Sequence, residues 1–99
     1  MENNLIDTRI QMLEALERLE KNKDFQLVIL DGYMKDEVLR INSLLANPTI
    51  KTQGKRADVM EMLVAISTFG EYMNTIKAMG ATAKYQQENP IEDDENGEF

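Results

Sequence analysis

Val59, Met62, Ile66, Phe69, Met73 and Ile76 follow one another at intervals of three, four, three, four and three residues. Only an α-helix returns side chains to one face at that spacing. Leu63 and Tyr72 widen the stripe, and the pattern predicts one long helix over residues 56–79, terminated by Gly80. Such a stripe needs a cover, so the rest of the chain must supply elements that pack against it. Gly70 lies inside the stripe and would cost about 1 kcal/mol relative to Ala in an exposed helix. It is read as a point of close approach by another backbone.

The remaining patterning is helical as well. Ile6, Ile10, Leu13, Leu16 and Leu19, with Met12 alongside, predict an amphipathic helix over residues 5–21 capped by Asn3 or Asn4. Glu14 with Arg18 and Glu17 with Lys21 are spaced to support it. Asn22-Lys23-Asp24 reads as a break, with Asp24 capping a short buried helix from Phe25 to Asp31 in which Phe25, Val28 and Ile29 share a face. Gly32 would end it by accepting positive φ. A strand is the weaker reading of Leu27–Leu30, because only two of those residues are β-branched and nothing else in the chain offers a pairing strand. Val38, Ile41, Leu44 and Leu45 predict a helix over residues 34–46, with Asp36 and Glu37 in its first turn. Asn47-Pro48 stops it, because a residue before proline avoids the helical region. Residues 49–54 read as a polar loop leading to Lys55-Arg56.

The fold expected is therefore all-α: a small helical bundle or helical hairpin over residues 1–80 with one long C-terminal helix, followed by a flexible acidic tail at 81–99. In that tail Lys84 alone stands against Glu88, Glu92, Asp93, Asp94, Glu95 and Glu98, which gives it most of the net charge of -7. A segment so charged and so poor in apolar residues is expected to be disordered in isolation. The longest apolar runs, Leu27–Leu30 and Leu63–Ile66, fall far short of the roughly 18 residues that span a bilayer. The N-terminal residues carry neither a basic stretch nor an apolar core, so no signal peptide is expected.

Chemistry is restricted by what is missing. The 99 residues contain no Cys, His or Trp, which removes thiolate zinc sites, Cys or His nucleophiles, and imidazole bases. Paired carboxylates remain, at Asp36-Glu37, at Asp58 with Glu61, and in the tail. All adjoin polar neighbours on expected solvent faces, and a general acid/base pair needs a partly dry, concave site. Asp93-Asp94-Glu95-Asn96-Gly97 lacks the alternating ligands of a calcium loop. No catalytic, cofactor-binding or metal-binding residue is assigned. Lys51, Lys55 and Arg56 form a basic cluster without interleaved aromatics, read as a solvated helix entrance, and the acidic balance opposes direct nucleic-acid binding.

The block from Asn22 to Arg40, followed by Leu44-Leu45-Ala46-Asn47-Pro48, resembles small acidic helical proteins encoded by tailed bacteriophages. In these a Phe precedes a Gly-Tyr turn, then come an acidic helix with Arg, an Asn/Asp-Pro break, and a last helix of the Ile-x-x-Phe-x-x-Tyr type. Here that last element is Ile66-Ser67-Thr68-Phe69-Gly70-Glu71-Tyr72. The resemblance covers roughly residues 13–80. It implies a setting among virion-assembly genes, with no established activity.

Function is accordingly expected to be non-enzymatic. The chain would be a virion-associated or head-assembly accessory protein, residing in the host cytoplasm during infection or in the virion, with no membrane partner. Its partner would be a capsid, portal or scaffold protein, or a second copy in a homo-oligomer. Val59, Met62, Ile66, Phe69, Tyr72, Met73 and Ile76 are first of all core, and the same stripe is the candidate binding seam if it is wider than one neighbour can cover. Glu92, Asp93, Asp94 and Glu95 are the candidate residues for a basic partner surface. The alternative is a host-directed inhibitor whose acidic tail mimics nucleic acid.

Overall fold

The structure, a computed structural model, describes residues 2–90. Those residues are helical almost throughout, with no strand among them: α1 (Glu2–Lys21), α2 (Lys23–Phe25), a π-helix (Gln26–Asp36), α3 (Glu37–Leu45), α4 (Pro48–Thr52) and α5 (Arg56–Glu88). They form two compact units, one made by α1 up to Arg18 together with α5 from Met73 onward, the other by Leu19–Tyr72.

In the first unit, Leu13 and Leu16 of α1 are buried, as are Met73 and Ala83 of α5. The expected stop at Gly80 does not occur, and α5 runs on to Glu88. Gly80 is buried in the helix and lies against Leu13, so closely that a Cβ added there would sit 2.4 Å from the Leu13 Cβ. Glycine here removes a side chain at a helix contact instead of supplying a left-handed cap. Residues 81–88, expected to belong to the flexible tail, are helical, and Ala83 among them is fully buried. The expected disorder of 91–99 lies outside the described residues. At the other end, α1 begins at Glu2, so Asn4 is inside the helix, where its carbonyl accepts the Thr8 hydroxyl at 2.8 Å, and it does not cap. Neither Glu14 with Arg18 nor Glu17 with Lys21 closes into a salt bridge.

In the second unit a one-residue break separates α1 from α2. Asn22 leaves helical geometry (φ -77°, ψ 127°) and its side chain accepts the Phe25 N–H at 2.9 Å, so Asn22, not Asp24, is the cap. The helix that follows does not stop at Gly32. It winds as a π-helix for 11 residues and passes into α3, with the Glu37 N–H donating to the Gly32 carbonyl five residues back. Glu37 thus opens the first turn of α3 as expected, whereas Asp36 is the last residue of the π-helix, and the backbone is helical through both. Gly32 keeps a helical φ, and the positive φ (70°) falls at Gly54, between α4 and α5.

The reason for the wide winding is legible in the spacing. Phe25, Ile29, Leu30, Tyr33, Met34 and Val38 are all half-buried and recur every four to five residues, the period of a π-helix at roughly 4.4 residues per turn. Ordinary α winding from Met34 backward would turn Leu27 inward and carry Phe25 and Ile29 out. The π register covers one more large apolar side chain, a gain on the order of 1–3 kcal/mol. Val28, expected on the covered face, is 62 % exposed because that winding turns it outward, and Leu27 is 67 % exposed.

Ile41 (1 % exposed), Val59 and Ile66 form the core of this unit, flanked by Tyr33, Met34, Val38, Leu44, Leu45, Ile50 and Leu63. Asn47 is extended (ψ 121°), as the following proline demands. The expected loop after it is a short helix, because Pro48 takes the first helical position and the Asn47 side chain caps the Thr49 N–H at 2.8 Å. Ile50, carried on that helix, packs against the core.

Candidate protein-binding surface

Packing divides the α5 stripe into three parts. Val59, Ile66 and Met73 are buried. Phe69 and Ile76 are half-buried, and the Phe69 ring meets Tyr33 edge-on, with centroids 5.9 Å apart and planes at 75°. Met62 and Tyr72 stand out in solvent, 45 % and 56 % exposed. Met62 and Phe69 are seven residues apart and Tyr72 three further on, so helix geometry sets the three on one flank of α5. The second unit therefore presents, from Met62 to Tyr72, an apolar flank of α5 that is only half covered.

Gly70 is matched not by a backbone but by a side chain. A Cβ there would lie 3.0 Å from the Met34 terminal methyl, the movable end of a flexible residue. Glu92, Asp93, Asp94 and Glu95 lie outside the described residues.

Other exposed apolar side chains in the second unit carried no periodic signal as a site: Leu19 on α1, Leu27 and Val28 on the π-helix, Leu39 on α3, and Met60 and Val64 on α5. Met60 and Val64 are one helical turn apart, on a different flank from Met62 and Tyr72. Spacing could have found that pair, but not the exposure of Leu27 and Val28, which depends on the π register.

The polar groups give a modest electrostatic picture. Arg40 Nε donates to Glu37 Oε1 at 3.0 Å and Arg40 Nη2 to Glu37 Oε2 at 2.6 Å, a bidentate pair one turn apart on α3. Those hydrogen bonds first, and the positive charge second, hold the Glu37 carboxyl below its ordinary range. Glu37 is thus one half of a surface ion pair. Asp36, Asp58 and Glu61 are exposed, as are Lys51, Lys55 and Arg56 around the start of α5. No cluster of three or more metal-ligating side chains occurs among the described residues, and none of the helices described is long and apolar enough to cross a membrane.

No protein-family model matches this sequence, and comparison with curated proteins and with solved structures gave no match.

Proposed function

We propose that this protein works by binding another protein through the flank of α5 that carries Met62, Phe69 and Tyr72, and that it does so as an accessory in bacteriophage head assembly. The observation that supports a binding role is the half-covered state of this flank: Tyr72 and Met62 stay exposed beside a stripe whose other members are packed. Aromatic and methionine side chains are the residues that anchor protein interfaces, and methionine adapts its shape to more than one surface. The phage setting rests on the sequence resemblance of residues 13–80 alone. Capsid, portal or scaffold protein is the partner class that this setting supplies, and a second copy of the chain is the other partner the flank would fit.

Particles purified from infected cells test the proposal. The chain is expected to sediment with heads or head precursors at a fixed stoichiometry, and Tyr72→Glu, at a position 56 % exposed, is expected to remove it from them while the isolated variant keeps its helicity. A wild-type chain that stays in the soluble fraction, with heads assembling normally in its absence, overturns the reading.

A further inference from the structure

The π-helix at Gln26–Asp36 suits this sequence in one register, yet the same residues carry a second pattern. Leu27, Leu30, Met34, Val38, Ile41 and Leu45 are spaced three, four, four, three and four apart, an unbroken α-helical stripe that runs from the π segment into the core. In the structure the members from Leu30 onward are buried or half-buried while Leu27 is exposed, and Phe25 and Ile29 take the inward positions. Gly32 sits between the two patterns. A Cβ on it would lie 3.0 Å from the Leu27 carbonyl oxygen, the acceptor five residues back that defines π winding. The glycine thus leaves room for the wide turn, and it is also the poorest non-proline helix former, so it withholds support from the narrow one.

We propose that residues 26–36 are a two-register element, π in the structure described and α in a second state, with Gly32 as the residue that keeps the π register accessible. Conversion exchanges faces: Leu27 turns inward beside Leu30 and Met34, and Phe25 and Ile29 turn outward. The outer surface of this segment then changes from Leu27 and Val28 to an aromatic and a branched aliphatic side chain. A partner that contacts Phe25 or Ile29 would select the α register and one that contacts Leu27 would select the π register, because a ligand shifts such an equilibrium only by its difference in affinity for the two states.

The register is read directly by through-hydrogen-bond coupling in isotopically labelled full-length protein. In the π register the Glu37 N–H couples to the carbonyl of residue 32, and in the α register to the carbonyl of Tyr33. Gly32→Ala is expected to move the coupling to Tyr33, with the Phe25 ring losing protection and the Leu27 methyls gaining it. Leu27→Lys, placed in the Gly32→Ala background, is expected to return the coupling to residue 32, because a lysine opposes the inward position and is harmless in the outward one. In wild type, relaxation dispersion is expected at Phe25 and Leu27 and is expected to vanish in Leu27→Lys alone, a variant whose substituted side chain faces solvent and leaves the fold intact. A Gly32→Ala protein that keeps the residue-32 coupling, or a wild type that shows no exchange at Phe25 and Leu27, overturns the proposal. So does exchange that persists unchanged in Leu27→Lys.

Discussion

Gly80 and Gly70 make opposite predictions from the same residue type. At Gly80 a new Cβ meets the Cβ of Leu13, an atom fixed to its own helix, so Gly80→Ala is expected to destabilise the protein by about 1–3 kcal/mol despite the better helix propensity of alanine. At Gly70 the neighbour is the end of the Met34 side chain, which can swing away. Gly70→Ala is expected to be neutral or stabilising by up to about 1 kcal/mol. Urea titration of both variants checks the contrast, and equal effects would refute it. Glu37 offers a pH prediction at this scale. Its carboxyl is held low by Arg40, so the pair stabilises the folded state above the ordinary carboxylate range and the contribution disappears as pH falls through the lowered value. Both side chains are partly or largely exposed, so the effect on stability is small and screened by salt. Arg40→Gln is expected to raise the Glu37 titration midpoint measured by nuclear magnetic resonance.

Among the elements, the π-helix separates residues that are adjacent in sequence into covered and bare. Phe25→Ala removes a half-buried ring and is expected to cost roughly half of the 3–5 kcal/mol lost with a fully buried phenylalanine. Leu27→Ala, two residues on, is expected to change stability by less than about 0.5 kcal/mol, as exposed substitutions do. Chemical denaturation of the two variants distinguishes the observed winding from a continuous α-helix, in which the costs would be reversed. Asn22 caps α2, which leads directly into the π-helix, and Asn22→Ala is expected to cost about 1 kcal/mol by releasing the Phe25 N–H.

For the molecule as a whole, the question is whether the exposed flank of α5 is satisfied by self-association. A chain of 99 residues without disulfides has a small core and little stability to spare, and Met62 and Tyr72 leave apolar surface uncovered. Light scattering from micromolar to near-millimolar concentration is expected to show a dimer or larger species that Tyr72→Glu returns to monomer. A wild-type protein monomeric throughout that range would leave a different protein as the partner of this surface.

Helix formation itself was determined by the sequence, because it depends on residues within a turn of one another. The stripe from Val59 to Ile76, the break at Asn22-Lys23-Asp24 and the stop at Asn47-Pro48 are local facts and appear where the spacing and the proline place them. The same locality explains the failures at Gly32 and Gly80. Glycine permits a left-handed turn without requiring one, and whether it ends a helix depends on what packs beside it. At Gly80 that neighbour is Leu13, distant in sequence, and at Gly32 it is the apolar surface that Phe25 and Ile29 must reach. The stripe on α5 was equally legible as a list of apolar positions, but its division into buried Val59, Ile66 and Met73 and exposed Met62 and Tyr72 was not. Periodicity names the face that seeks cover, and only the tertiary structure decides how wide the cover is, because that width is set by the side chains of other helices.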